Sequence, residues 1–225
     1  MRKGDQKRQE MLAAAERLFL SKGYAATSVQ DILDELHASK GGFYHYFASK
    51  EDVLKLLCAQ RGERAAETAD LLLRNAVADM DRINGVLRAF MPLRREEADF
   101  IRMLQPMITS SEGRAMAMIY QDSLMAHFLP LLRQEIASAA ANGTVCPPVR
   151  GMEEAVLQLV NGCWLSAVKE ITRVTEAGER FDAGWLLTHL ERYRRAVEVL
   201  LDAPYGSVEL VRVEEMTVVC EGIVR

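Results

Sequence analysis

The segment from Thr27 to Leu54 places three helix starts within twenty-eight residues, and that density constrains the N-terminal fold more than any other feature. Thr27 and Gln30 stand at N-cap and N3 spacing, the pattern that satisfies two orphan amide donors reciprocally. Val29, Ile32, Leu33 and Leu36 follow at i, i+3, i+4 and i+7, which is one apolar helical face. His37-Ala38 leaves room only for a tight turn before Ser39, which caps a short helix bearing Phe43 and Phe47 on one side. Ser49 then caps a helix running from about Lys50 into the seventies. Upstream, Leu12, Ala15, Leu18 and Phe19 share a face, Arg8, Glu10, Glu16 and Arg17 lie mostly elsewhere, and Gly23 stops the helix. Helices this short are marginal alone and must share a core. Leu12, Leu18, Phe19, Ile32, Leu33, Phe43 and Phe47 are expected to form it.

Two helices followed by a third entered through a tight turn are the frame of a helix-turn-helix reader of DNA. With Phe43 and Phe47 turned inward, Lys40, Gly41, Gly42, Tyr44 and His45 face outward. The glycines allow close backbone approach, and Lys40 and Lys50 are suited to neutralise phosphates. The positive end of the third helix adds to that potential.

The run ILDELHASKGGFYHYFASKEDVL resembles the signature of TetR-family transcriptional regulators, and the upstream Gly23-Tyr24-Ala25-Ala26-Thr27-Ser28-Val29 agrees with it. The resemblance covers roughly residues 8–56. It implies a phosphate contact for Thr27 and backbone clamping by Tyr44 and Lys50. Gly41, Gly42, His45 and Tyr46 match positions that touch bases or nearby phosphates. Ser39 caps first and is a further phosphate candidate, and Tyr46 is equally suited to the core. Two positions depart from the pattern. His37 stands where glycine is common, and histidine tolerates positive φ better than most residues. Gly42 stands where a hydroxyl residue is common, so direct base readout loses a donor. The glycine pair also weakens the third helix by up to about 2 kcal/mol relative to alanine.

Charge supports the reader only through its distribution. The whole chain is at −4, but residues 1–50 hold eight Lys/Arg against six Asp/Glu, and the remainder holds twenty against twenty-six. No run of 18 apolar residues predicts a membrane span, and the charged N-terminal twenty residues carry no signal-peptide pattern, so a cytoplasmic location is expected. Cys58, Cys146, Cys163 and Cys220 form no CxxC pair and have no histidine at zinc-finger spacing; reduced structural thiols are expected, with no metal and no cofactor. No nucleophile elbow, phosphate-binding glycine loop, HExxH or dinucleotide fingerprint points to an enzyme.

Beyond the reader the chain reads as helix upon helix: 80–92, 95–108, 112–141, 152–176 and 182–202. Pro92, Pro106 and Pro130 mark boundaries or kinks, 142–148 is a loop, and Ala177-Gly178-Glu179 splits the last two helices. Met103, Met107, Met116, Met118 and Met125 make 103–128 rich in an adaptable side chain that suits either a core or an apolar pocket. Asn161 and Trp164 stand on an otherwise apolar helix and would orient a ligand or complete a core or dimer seam. Met103, Met107, Gln121, Phe128, Asn161 and Trp164 are the candidates for contact with a small, mainly apolar effector.

The expected architecture is all-α: a helix-turn-helix domain over 1–52, a larger helical ligand-binding and dimerisation domain over 53–203, and an extension over 204–225. The valine-rich extension alternates in part and reads as a short hairpin. The family resemblance implies a homodimer through the helices at about 152–176 and 182–202, which would place two readers on a palindromic operator. Leu157, Val160, Trp164, Leu186, Leu187, Leu190, Tyr193, Val197 and Leu200 are the apolar residues available for that bundle. The expected activity is ligand-responsive repression, with the helix beginning at Lys50 carrying the ligand's effect to the reader.

Overall fold

The computed structural model describes residues 3–91 and 111–212. Met103, Met107, Pro92, Pro106, the helix expected over 95–108 and residues 213–225 lie outside the described residues. Among the described residues every regular element is a helix. The chain divides into two compact units, one holding the residues up to Arg61 and the other beginning at Gly62.

In the first unit α1 spans Lys3–Lys22, α2 Val29–Glu35 and α3 Lys40–Tyr44, and α4, Lys50–Asn75, begins here. Gly23 ends α1 at φ +88, a left-handed stop, with its amide donating to the Phe19 carbonyl. The cap of α2 differs from the expected one. Ser28 and Asp31 form the capping box, one residue later than Thr27 and Gln30. Thr27 is buried, and its hydroxyl donates to the Gly23 carbonyl at 2.8 Å, while the Gln30 amide donates to Asp34. Both pairs have the right spacing; burial of the threonine settles which one caps. His37 does adopt positive φ, at 49°, and the Ala38 amide donates back to Leu33 across the turn. Ser39 accepts from the Gly42 amide, and Ser49 from the Asp52 amide, as N-caps do.

Met11, Leu12, Phe19, Ile32, Leu33, Phe43, Phe47 and Leu54 make one buried core, with Leu18 at its margin rather than inside. The Phe43 and Phe47 rings lie 5.4 Å apart. Each buried aromatic or aliphatic side chain of this kind contributes about 1.5–3 kcal/mol, which is how five- and seven-residue helices become stable.

The second unit contains α5, Asp79–Phe90, the longer part of α6, Ser111–Ala141, then α7, Glu153–Glu176, and α8, Ala183–Leu201. Pro130 is carried inside α6 rather than bounding it. The α7 and α8 helices pack together, and α5 packs on α7. Ile83, Leu87, Phe90, Phe128, Leu132, Leu157, Val160 and Val197 are core residues. Arg82 forks onto the buried Glu135 from α5 to α6, and Asp79 receives the Thr144 hydroxyl and the Asn142 amide. One expectation changes here. Leu157, Val160, Trp164, Leu186 and Val197 are buried within the subunit, so they are not free for a partner. The described part of the tail, 204–212, contains no strand. It is a strap: Gly206 and Val208 donate their amides to the buried Glu198, and Asn84 accepts from the Glu209 amide while donating to the Ser207 carbonyl. Its own Val208 and Leu210 are buried.

Candidate nucleic-acid interface

The third helix owes its position to its own alternation of large apolar and small residues. Phe43 has no exposed surface, and its ring meets Phe47 and, edge to face, Tyr44. With that side of α3 anchored, Lys40, Gly41 and Tyr44 are exposed, and so is His45 at the C-cap. Tyr44 retains 57% of its surface, which is far more than a large aromatic residue usually leaves in water without a partner. The His45 ring rests against that of Tyr46 at 4.8 Å, and Tyr46 is half-buried against the core. A β-carbon at Gly41 would meet nothing within 4 Å, and one at Gly42 would lie 3.4 Å from the Ser39 hydroxyl and 3.9 Å from Met11. The surface of α3 is therefore low and open, with one cation and two ring-borne hydrogen-bonding groups raised above it.

Two sequence candidates face inward instead. Thr27 is buried with its hydroxyl directed to a carbonyl. Lys50 donates to the carbonyls of Tyr24 and Thr27, each at 2.9 Å, and its ammonium lies 4.3 Å from the centroid of the Tyr24 ring. These two residues hold the loop that leads into α2. The exposed residue at that point is Ser28, which sequence spacing does not single out because Thr27 also has a polar residue three positions on. Its partner Asp31 is held well below the usual carboxylate range, first by the hydrogen bond from Lys22 and then by the Ser28 hydroxyl and amide. Ser39, Lys40, Gly41, Tyr44 and His45 are the candidates that stand together on the exposed side of the reader.

The effector candidates are not gathered in this way. Met103 and Met107 lie outside the described residues, and Gln121 is half-buried in the first unit. Phe128 is fully buried, its ring 5.3 Å from Phe90. Trp164 is 8% exposed and Asn161 is half-buried, three residues apart on α7. An open groove of about 370 Å³ in the second unit is lined by Thr188, Glu191, Arg192, Arg194, Arg195 and Tyr205, none of them expected. Burial pushes the thiols of Cys58 and Cys163 up to about 12, so both are inert hydrophobes, whereas Cys146 is exposed. Among the described residues no group of histidine, cysteine and carboxylate side chains is placed to hold a metal, and no helix is long and apolar enough to cross a membrane.

Residues 11–57 match the family described as bacterial regulatory proteins, tetR family. A protein of Lactococcus lactis subsp. lactis, an uncharacterized HTH-type transcriptional regulator in the lacX 3' region, is 49% identical over 45 residues, 20% of this chain and 23% of its own length. The HTH-type transcriptional repressor AcnR of Corynebacterium diphtheriae is 32% identical over 76 residues, 34% of this chain and 38% of its own. The chain thus matches well under half the length of these curated relatives. A crystal structure of a putative TetR-family transcriptional regulator from Syntrophomonas wolfei superposes with a TM-score of 0.61 at 20% identity, over 93% of this chain and 98% of that one. The all-helical fold is therefore shared over most of the chain, while sequence likeness concentrates in the reader.

Proposed function

We propose that this chain, whose residues 11–57 are an N-terminal domain of the tetR family of bacterial regulatory proteins, is a transcriptional regulator that binds a palindromic operator as a homodimer and is released by a small, mainly apolar effector. The observation that carries the reading is α3 itself: a five-residue helix locked by Phe43 and Phe47 with Lys40, Tyr44 and His45 raised on its free side. A helix so held and so furnished suits entry to a major groove, where side chains meet base edges and flanking phosphates.

The reader is assigned to residues 1–52, the effector and dimer functions to 53–203, and the strap to the start of the 204–225 extension. Dimerisation is assigned to α7 and α8. The apolar groups left for it include Leu187 and Val199, which are 54% and 57% exposed, and the half-buried Leu190, Tyr193 and Leu200. Repression is the sense in which AcnR is named, and the same sense is assigned to this chain through the shared domain. The effector must bind one conformation better than another to change operator affinity. Continuity of α4 from Lys50 to Asn75 supplies a covalent path between the two units.

Selection of bound sequences from a random duplex pool tests the reading, with Lys40→Ala plus Tyr44→Ala as the control. A palindromic consensus recovered with the native chain and lost with the double variant supports a dimeric operator binder. No enrichment at moderate salt, in the presence of a folded dimer, overturns it.

A further inference from the structure

We infer that Arg8 is a phosphate contact of the reader, placed beyond the opposite end of α3 from Lys40. The inference rests on the DNA-binding reading above and extends it to α1, which that reading left as support.

Among the described side chains of the first unit, internal pairing leaves Arg8, Lys40 and Lys55 without a carboxylate or carbonyl partner, and of these Arg8 is the one that lies over an aromatic ring. Arg17 is bonded to Glu35, Lys22 to Asp31 and Arg61 to Glu16, and Lys7 stands 3.6 Å from Glu10. Lys50 is held by two backbone carbonyls. The guanidinium of Arg8 meets no carboxylate among the described residues; it lies 5.8 Å from the centroid of the Phe47 ring. Stacking of this kind seats the stem and plane of an arginine while its N–H edge stays available to an anion. Arg8 is half-buried, so the seat is partly ordered before any partner arrives.

The seat is also in the right place. Phe47 follows His45 and Tyr46, immediately past the C-terminal end of α3. A β-carbon on Gly4 would lie 3.5 Å from the Tyr46 hydroxyl, so the first turn of α1 runs beside the same end. Lys40 is the first residue of α3 and stands at its other end. The helix rises about 7 Å over its five residues, and a major groove about 12 Å wide is bordered by a phosphate row on each side. A short helix seated there by Tyr44 and His45 directs its two ends toward opposite rows. Lys40 meets one row, and Arg8 meets the other with the planar fork that suits a phosphate.

The test is titration of a mixed-sequence duplex, followed by fluorescence anisotropy at several salt concentrations, with thermal unfolding of every variant. Arg8→Met keeps an apolar stem over Phe47 and removes the charge; Arg8→Lys keeps the charge. Arg8→Met is expected to lower the slope of log affinity against log salt by about one for each bound reader, and Arg8→Lys to keep the native slope. A native slope in Arg8→Met, whether or not its unfolding midpoint falls, makes Arg8 a structural residue and overturns the inference while the reader stands. Absence of duplex binding by the native chain overturns the reader and this inference together.

Discussion

The ammonium of Lys50 donates to the carbonyl of Thr27 at 2.9 Å, across twenty-three residues of chain. It ties the start of α4 to the loop before α2, and a second bond to Tyr24 closes the same tie. The Tyr24 hydroxyl adds a bond to Glu51, and its ring packs on Phe19. Lys50→Ala removes both bonds, taking the ammonium from the Thr27 carbonyl and leaving the Tyr24 carbonyl with the Thr27 amide as its donor. Urea unfolding should show a loss of about 2 kcal/mol, in the range for hydrogen bonds to a charged group. A midpoint unchanged from the native chain would refute the structural role.

Glu198 is fully buried and accepts from Arg194, Arg195 and the amides of Gly206 and Val208. Glu198→Ala takes the acceptor from the amides of Gly206 and Val208, while Arg195 is half exposed to water and Arg194 keeps Glu191, and the expected cost is about 2–3 kcal/mol. Hydrogen exchange should accelerate at Gly206 and Val208 first. Retained protection at both amides would mean that Asn84, Val208 and Leu210 hold the strap without the carboxylate.

Gly41 has helical geometry and open space where a β-carbon would stand, whereas Gly23 has a φ of +88. Alanine should therefore act in opposite directions at the two sites. Gly41→Ala is expected to stabilise by up to about 1 kcal/mol and Gly23→Ala to destabilise by more than that. Chemical denaturation of both variants checks the contrast, and a loss at Gly41 would show that α3 is strained in a way its backbone does not display.

Asp31 is the clearest pH-dependent group of the reader. Its folded pKa lies below the ordinary 3.8 because Lys22 and Ser28 stabilise the carboxylate. A depressed carboxylate stabilises the fold fully above the unfolded pKa, and that contribution fades as pH falls below about 3.8 toward the folded value. An NMR titration should find Asp31 still ionised where an unperturbed aspartate is half protonated, and Lys22→Ala should raise its midpoint. A native-like midpoint in Lys22→Ala would remove Lys22 as the main cause.

Much of the reader was legible because its determinants are local. The apolar spacing of α2, the caps Ser39 and Ser49, the stop at Gly23 and the turn at His37 depend on residues within one or two turns of each other. Phe43 and Phe47 stand four apart, and although α3 ends at Tyr44 the Phe47 amide still donates to the Phe43 carbonyl, so both rings reach the core. The choice between Thr27 and Ser28 as the cap was different. Both have a polar residue three positions on, and only burial of Thr27 against α1 separates them.

The roles of long side chains were less legible for the same reason. Arg8, Lys40 and Lys50 are all plain cations in the sequence, yet one is stacked on a ring, one is exposed and one is held by two carbonyls. The apolar residues of α7 and α8 posed the same problem. Helical spacing marks a face but not whether that face meets its own subunit or another, and here most of it meets its own. The tail shows the limit most clearly. Over 204–212 Glu198 and Asn84 supply hydrogen-bond partners from neighbouring helices that no local pattern marks, while most of the stretch expected as a hairpin lies outside the described residues.

Local pattern is enough to locate most of the described helices, their stops and the reader, since caps, turns and i, i+4 contacts act over a few residues. Which polar groups face inward, which cations stay exposed and where residues 204–212 lie is settled by long-range packing. Those outcomes depend on partners tens of residues away, and a buried donor or acceptor must find one or cost the fold about 1–3 kcal/mol.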